Sequence, residues 1–357
     1  MVTERGIRCC YHGWLYDVDG RLLETPGEPA DSKAAEKLRA TVRQGAYPVH
    51  EHKGLIFAYL GPSEDKPRFT ILDTFDIPGD ERVPYTMDYP CNWLQIFENA
   101  MDPVHSVFLH TRVSGAQFSD SWGELSVVDF HERPIGWYYT NCRRVEQHIW
   151  TRMHDVLLPN LSQAGAVLSI DGKRPKYFGR NSFTRWVVPV DDTHTKILAW
   201  AHFSDRADPV VYKTRENIEK TEQGEIKDRT YDERQRRPSD NEAFIGQGTI
   251  ADLKKQHLSG TDKGVAMYRS RVRTAIRNLK KGKCPTRPGD LGDRPIPTYG
   301  GDTVLRIPRR TKGDDRKFLL DVSQRLAKIY MDADRLRGEA RDHAIIDGVK
   351  KLETSLA

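Results

Sequence analysis

The order in which strand-like and helix-like stretches follow one another is the feature that most constrains the fold of this chain. Up to about Pro62, β-branched and aromatic residues alternate with turn signals, so WLYDVDGRLLETP predicts a hairpin with Asp-Gly at its turn and HKGLIFAYLGP predicts a strand. A helix-like pattern, NWLQIFENAMDPVHSVFLH, begins at Asn92; alternating strand patterns follow, and helical patterns return around Thr261 to Leu279 and Asp315 to Leu336. Strands first, then an antiparallel region with long helices, favour an α+β fold over a doubly wound parallel sheet.

The composition narrows the class of protein. The 357 residues suit one or two domains, and no apolar run approaches the length of a membrane span. Because no charged-then-apolar leader opens the sequence, we expect a soluble, cytoplasmic protein. The 56 basic and 51 acidic residues are interspersed, a pattern that indicates neither a nucleic-acid nor a membrane partner. The five scattered cysteines argue against a disulfide framework and favour a metal-ligand role for any functional cysteine.

The helix-like stretch that begins at Asn92 carries the densest group of polar candidates. Glu98, Asp102 and His105 are spaced so that they would share one face of a helix, whereas His110 would point elsewhere on an ideal helix. Pro103 removes an amide donor and interrupts the helix, which allows the two imidazoles to converge on one ion. The alternative is that the two histidines are satisfied separately by core or solvent contacts.

A second candidate group lies near the start of the chain. Cys9-x-x-His12 offers a thiolate and an imidazole on a tight loop, ligands that suit an iron–sulfur cluster or zinc. Either kind of site needs a second pair of ligands, and no Cys-x-His occurs elsewhere in the sequence. A single C-x-x-H in a long chain most often occurs by chance and binds no metal. For the downstream histidines His105 and His110, the neighbouring Asn99 and Asp102 and this earlier C-x-x-H favour a shared metal over separate contacts.

The stretch CCYHGWLYDVDG resembles the second half of a Rieske [2Fe-2S] site, in which two loops each give a cysteine to one iron and a histidine to the other. The resemblance implies Cys9 and His12 as cluster ligands. The family's first loop, C-x-H-R, lies well upstream of the second, but only eight residues precede Cys9 here. The chain therefore resembles a Rieske domain without its front half, and we expect it not to hold a stable cluster by itself. Cys10 is a poor substitute ligand, because adjacent side chains in an extended loop point apart.

ENAMDPVHSVFLH resembles the mononuclear iron motif of the Rieske non-heme iron aromatic ring-hydroxylating oxygenases, in the form seen in the oxygenase (alpha) components of the phthalate-dioxygenase-like branch. The resemblance implies His105 and His110 as iron ligands, with a distant carboxylate completing a 2-His-1-carboxylate facial triad. Asp240, in RRPSDNEAFIGQGTIAD, matches the family's acid before a short helix. Asp252 and Asp262 are the competitors, and we assign them to helix capping or the surface.

The same resemblance implies the architecture and assembly. Residues 1–66 would form a partial Rieske-type β domain. Residues 67–357 would form a helix-grip (START-like) catalytic domain, with an antiparallel sheet and long helices, that holds a mononuclear Fe(II). The family assembles as a head-to-tail homotrimer, in which the cluster of one subunit lies against the mononuclear iron of the next.

Three residues of the motif are assigned to catalysis by the resemblance: Asp102, Glu98 and Asn99. Asp102 matches the family's bridge, an aspartate that would hydrogen-bond to His105 on one side and to the partner subunit's His12 on the other. A change from Asp102 to Asn would therefore interrupt electron passage without removing the iron.

The implied activity is O2-dependent hydroxylation or O-dealkylation of an aromatic substrate. Electrons from NADH would arrive through a separate reductase, with or without a ferredoxin, and the chain itself has no G-x-G-x-x-G after a strand with which to bind NADH. An aromatic carboxylate is the expected substrate, because a buried carboxylate needs a paired cation and the chain is rich in arginine. One or two histidines of the strand region are expected to line the substrate cavity, from the set His131, His148, His154, His194 and His202.

Three other functions remain open from the sequence. A zinc hydrolase would use His105, His110 and Asp240 to hold a metal-bound water. A non-catalytic protein would bind an aromatic ligand in a helix-grip cavity without reducing oxygen. A degraded pseudo-enzyme would do neither. Metal analysis separates the first from an oxygenase, because one binds zinc and the other iron.

Overall fold

The computed structural model describes most of the chain. The described residues are 1–113, 115–117, 119–165, 176–204, 221–222, 225–226, 229–310 and 312–357. The chain divides into two compact units, Met1–Phe69 and Thr70–Ala357. None of the described helices is both long enough and apolar enough to cross a membrane.

The first unit is built mainly from short antiparallel strands. Its elements are β1 (Val2–Thr3), β2 (Gly6–Arg8), β3 (Leu15–Tyr16), β4 (Leu22–Glu24), α1 (Lys33–Thr41), β5 (Val49–His52) and β6 (Leu55–Ala58). The first four strands form one sheet in chain order, and the last two pair with each other. The predicted hairpin is confirmed as the β3–β4 pair. Gly20 at its turn has φ of +79°, and a Cβ there would lie 1.9 Å from the Gln44 carbonyl oxygen, so only glycine fits.

The described residues of the second unit form an antiparallel sheet of eight strands. These are β7 (Glu81–Tyr89), β8 (Val127–Arg133), β9 (Gly136–Val145), β10 (His148–Leu157), β11 (Leu161–Gly165), β12 (Asn181–Pro189), β13 (Thr195–Phe203) and β16 (Gly301–Leu305). The order across the sheet is β7-β13-β12-β11-β10-β9-β8, and β16 pairs with β10. A separate small hairpin is formed by β14 (Thr221–Glu222) and β15 (Glu225–Ile226).

Helices lie on both faces of this sheet. The described helices of the second unit are α2 (Trp93–Asn99), α3 (His105–Val107), α4 (Tyr231–Arg236), α5 (Asp240–Ile245), α6 (Lys263–Leu279), α7 (Asp315–Asp332) and α8 (Gly338–Leu356). Because strand side chains alternate between the two faces, Tyr138 of β9 packs with α7 and α8 in one core, whereas its neighbours Trp137 and Tyr139 pack with α2 and α6 in the other. The expected α+β fold with an antiparallel sheet is confirmed.

Candidate metal centre

Three side chains that are distant in sequence meet in the second unit. His105, His110 and Asp240 each offer a ligand atom, and these atoms lie within 4.8 Å of one another. Asp240 Oδ1 is 3.5 Å from His105 Nε2 and 3.3 Å from His110 Nε2. The His110 and Asp240 side chains are 3% and 6% exposed, and that of His105 is 22% exposed. The structure therefore brings together the three residues that the sequence analysis assigned to iron.

The backbone between the two histidines explains how they converge. Helix α2 ends at Asn99, so the expectation that Glu98, Asp102 and His105 share one helical face is wrong. Turns precede the short helix α3, and the chain then widens into a π-helical turn at Phe108–Arg112. In a π turn the hydrogen bonds join residues five apart rather than four, so the backbone there is wider than in an α-helix. This widening replaces the α-helical geometry in which His110 would point away from His105.

The start of helix α5 fixes the position of Asp240. Ser239 is the N-cap, and its backbone N–H and Oγ donate to Glu242 Oε2 at 2.7 and 2.8 Å. Arg229 and Arg234 form ion pairs with the same Glu242 carboxylate at 3.2 and 2.8 Å. Burial raises the pKa of Glu242, but the Ser239 and Arg234 hydrogen bonds outweigh it and lower the pKa to about 2. The ionised Glu242 thus anchors the turn of backbone that presents Asp240.

The outer ring nitrogen of each histidine faces an oxygen acceptor. His110 Nδ1 is 2.7 Å from Gln117 Oε1, and Gln117 Nε2 donates to the Pro238 carbonyl oxygen at 2.8 Å. His105 Nδ1 is 3.3 Å from Asp102 Oδ2, within ion-pair distance although outside regular hydrogen-bond geometry. An acceptor at Nδ1 favours the tautomer whose Nε2 lone pair is available to a metal. Both imidazoles therefore present Nε2 toward Asp240, and the donor set fits a 2-His-1-carboxylate iron site.

The charged groups at the centre shift one another's pKa values. Burial raises the pKa of Asp240, but His110, His105 and Arg185 outweigh it and lower the pKa to about 2. Burial lowers the pKa of His105, but Asp102 and Asp240 outweigh it, so that the pKa is raised. The carboxylate is consequently ionised at neutral pH, which is the form that ligates a cation.

Asn99 and Asp102 contact the centre directly. Asn99 Nδ2 donates to Asp240 Oδ1 at 3.1 Å and lies 3.2 Å from His105 Nε2. Asp102 Oδ1 accepts the backbone N–H of Val104 at 2.8 Å, which holds the carboxylate beside His105. Both residues were assigned to the site from the sequence, and the structure brings both to its edge.

Glu98 has a different environment from the one expected. Its two carboxylate oxygens accept from Arg269 of α6 at 2.5 and 2.6 Å, and the two side chains are about nine-tenths buried. No contact described for Glu98 reaches His105, His110 or Asp240. The residue therefore joins α2 to α6. The competitors Asp252 and Asp262 lie elsewhere, in local contacts of the α5–α6 connection.

A cavity opens beside the triad of His105, His110 and Asp240. The space available to the centre of a water molecule is about 110 Å³, and the walls include Tyr139, Asn141, Arg152, His154, Phe183 and Arg185. His154 is the cavity histidine that the sequence could not single out. It stacks on Tyr139 with ring centres 4.7 Å apart, and burial followed by the charges of Arg152 and Arg143 lowers its pKa well below the usual value. The sequence analysis did not identify Gln117 or the two arginines of the cavity wall, Arg152 and Arg185. The alternation of side chains along the strand-like stretch EQHIWTRMH could have placed Arg152 and His154 on one face.

Cys9 and His12 lie in the first unit, on the tight loop between β2 and β3. Both are exposed, and backbone N–H groups of Tyr11 and His12 lower the pKa of the Cys9 thiol, which favours the thiolate. Among the described residues, the only gathered group of metal-ligating side chains is the triad of the second unit. Cys9 and His12 thus amount to half of the ligand set of a Rieske cluster, and the described residues do not fit a complete one.

Comparisons with known proteins identify relatives of the chain. No protein-family model matches it. The tert-butanol monooxygenase / tert-amyl alcohol desaturase oxygenase subunit of Aquincola tertiaricarbonis is 36% identical over 381 residues, covering 100% of this chain and 78% of that protein. The phenoxybenzoate dioxygenase subunit alpha of Ectopseudomonas oleovorans is 35% identical over 305 residues, covering 80% of this chain and 69% of that protein. Dicamba monooxygenase bound to dicamba matches with a TM-score of 0.55 at 13% identity, over 79% of this chain and 83% of that one, a likeness of fold alone.

The donor set of the buried triad fits the iron site of a mononuclear non-heme iron enzyme. With relatives at this identity and coverage, the chain belongs to the Rieske non-heme iron oxygenases, as an oxygenase component. The resemblance drawn from its motifs is confirmed. Members of the family carry a Rieske cluster and a mononuclear iron, and a separate reductase supplies their electrons.

Proposed function

We propose that this chain uses O2 and electrons from a separate NADH-dependent reductase, with or without a ferredoxin, to hydroxylate or O-dealkylate an aromatic carboxylate. The observation that carries the proposal is the convergence of His105, His110 and Asp240 at the wall of a cavity. An aromatic acid as the substrate is supported by one relative, whose name includes phenoxybenzoate. Arg152 and Arg185 in the cavity wall supply the positive charge that a carboxylate needs. We assign residues 1–66 to a partial Rieske domain and residues 67–357 to the catalytic domain.

The iron would be held by Nε2 of His105, Nε2 of His110 and the carboxylate of Asp240. When bound, ferrous iron in such a facial triad keeps open positions for O2 and water and supplies the oxygen chemistry. The protein's contribution is positional. Asn99 holds Asp240 Oδ1 through its amide, and Gln117 holds the ring of His110 through Nδ1.

The cavity walls would bind and orient the substrate. Phe183 and Tyr139 offer apolar surface for an aromatic ring beside the triad. Burying a ring there excludes water from the space between the substrate and the ligands, which limits side reactions. The neutral imidazole of His154 adds a polar contact without adding charge.

Asp102 would connect this centre to a neighbouring subunit. Its side chain is 30% exposed, and it lies both in the substrate cavity and in a second depression of about 350 Å³ that also includes His105 and Leu109. We propose that in a head-to-tail homotrimer Asp102 links His105 to the partner subunit's His12. An aspartate that contacts an iron-ligand imidazole and also reaches solvent has the placement that such a link requires.

Metal binding tests the proposal against a zinc hydrolase, which no relative supports. The purified 357-residue chain, loaded anaerobically, should bind one equivalent of ferrous iron. The His105→Ala variant should lose it, because one of three ligands is gone, whereas His194→Ala should keep it, because that side chain is 59% exposed and contacts Asp191. Iron binding that survives His105→Ala, or an ester or amide hydrolase activity that depends on zinc, would contradict the proposal.

A further inference from the structure

Arg152 is a buried cation on the face of the sheet that lines the cavity. It lies on β10 opposite Asn141 of β9. Alternation along β10 places Arg152 and His154 toward the cavity, whereas Met153 packs into the core beneath α7. Arg152 is only 5% exposed, so its guanidinium is held in a place where water solvates it poorly.

The described contacts of Arg152 leave its charge without an anionic partner. Nη2 donates to the Gly165 carbonyl oxygen at 2.6 Å, and the guanidinium carbon lies 4.3 Å from the centre of the Trp122 ring. Nε is buried with no hydrogen-bond partner, and no ion pair joins Arg152 to a carboxylate of the described residues. Asp302 on the neighbouring strand contributes only a longer-range attraction. A buried cation in this state gains strongly from an anion that enters the cavity.

Arg143 is a second buried arginine that, like Arg152, lies close to the Trp122 ring. Arg143 is fully buried, with its guanidinium carbon 5.5 Å from the Trp122 ring centre and 4.9 Å from that of Trp150. It donates to the Trp122 carbonyl oxygen at 3.1 Å and to Asn141 Oδ1 at 2.6 Å, with no described carboxylate partner. Two positive charges therefore flank one tryptophan. Burial is the main reason that the pKa of Arg143 is lowered to about 9 and that of Arg152 to about 10.

We infer that Arg152 binds the carboxylate of the substrate, and that the Trp122 ring and the Gly165 carbonyl oxygen hold its guanidinium in position. The inference rests on the proposed function, since it takes the cavity beside the triad as the substrate site. A guanidinium offers paired N–H donors in the geometry of a carboxylate, and the guanidinium-bearing side chain of Arg152 lines the cavity. Arg185 also lines the cavity, with its guanidinium carbon 4.1 Å from the Phe183 ring centre, and serves as the comparison residue.

Equilibrium binding tests this assignment without turnover. Isothermal titration calorimetry of the metal-free 357-residue chain would compare phenoxybenzoate with its neutral amide, which has nearly the same shape. The unsubstituted chain should bind the acid at least about tenfold more tightly than the amide, as expected for a charge-assisted hydrogen bond to a buried arginine. Arg152→Gln should remove that preference by weakening acid binding about 10-fold to 100-fold, with amide binding nearly unchanged.

Three further variants serve as controls for the Arg152→Gln measurement. Arg325→Gln, on the exposed side of α7, should leave both affinities unchanged. Arg152→Lys keeps the charge and should retain part of the preference, which a merely structural role for Arg152 would not predict. The assignment is overturned if the unsubstituted chain does not prefer the acid, or if the preference survives Arg152→Gln or is lost only in Arg185→Gln. Because no iron is needed, an acid preference with no iron binding would reject the proposed oxygenase function and leave the anion site standing.

Discussion

Gln117 should control the affinity of the centre for iron, although it ligates nothing itself. Its Oε1 lies 2.7 Å from His110 Nδ1, and its Nε2 donates at 2.8 Å to the carbonyl oxygen of Pro238, two residues before Asp240. One side chain thus supports two of the three proposed ligands, and it contacts His110 on the ring nitrogen opposite Nε2. Gln117→Leu keeps the approximate size and removes both of these hydrogen bonds, together with a longer one from Nε2 to the Leu109 carbonyl oxygen at 3.5 Å.

The expected magnitude follows from those two contacts. A buried hydrogen bond contributes about 0.5–1.5 kcal/mol, so the pair is worth about 1–3 kcal/mol. Loss of a partner behind a metal-bound histidine typically weakens metal binding by about 10-fold to 100-fold, which is the same range of free energy. We therefore expect the dissociation constant for ferrous iron to rise by about 10-fold to 100-fold in Gln117→Leu.

Anaerobic competition with a coloured ferrous chelator measures this change directly. Gln117→Glu keeps an oxygen acceptor for His110 and should stay closer to the unsubstituted chain. Gln324→Leu is the matched control, because Gln324 is exposed on α7 and its one hydrogen bond among the described residues is to Asp129. An iron affinity in Gln117→Leu equal to that of the control would refute the reasoning, since it would show that His110 does not depend on this partner.

Three further predictions follow from the other contacts of the site. Asp102→Asn should keep the iron, measured by metal content, but abolish product formation in a chain that carries complete cluster-binding loops; loss of iron would instead make Asp102 a ligand. Arg269→Met should lower the free energy of unfolding, measured with urea, by about 3–5 kcal/mol because it leaves Glu98 buried without its cation; Glu98→Leu in the same chain should restore much of the loss. Glu242 has a pKa lowered from 4.5 to about 2, so its stabilisation is complete above about pH 4.5 and is lost as the pH falls toward 2. The stability gap between the unsubstituted chain and Glu242→Gln should shrink over that interval, and a constant gap would show that the charge of Glu242 is not what holds the start of α5.

The sequence determined those features of the protein that depend on local spacing. Period-two alternation predicted the strands, Asp-Gly predicted the β3–β4 hairpin, and the motif around His105 and His110 predicted the family that the relatives confirm. These signals lie within short windows, because alternation, turn conformation and ligand spacing are properties of neighbouring residues.

Tertiary structure alone decided what each polar group near the centre contacts. Glu98 belongs to the recognised motif, yet Arg269, 171 residues away, binds both of its oxygens. Gln117 and Arg152 belong to no recognised sequence motif. Gln117 became a candidate because the fold places it beside His110, and Arg152 because the fold places it in the cavity wall. The physical reason is that a hydrogen bond or an ion pair depends on the distance between two groups in space. Only the folded chain sets that distance, because the separation of two residues in the sequence does not determine it.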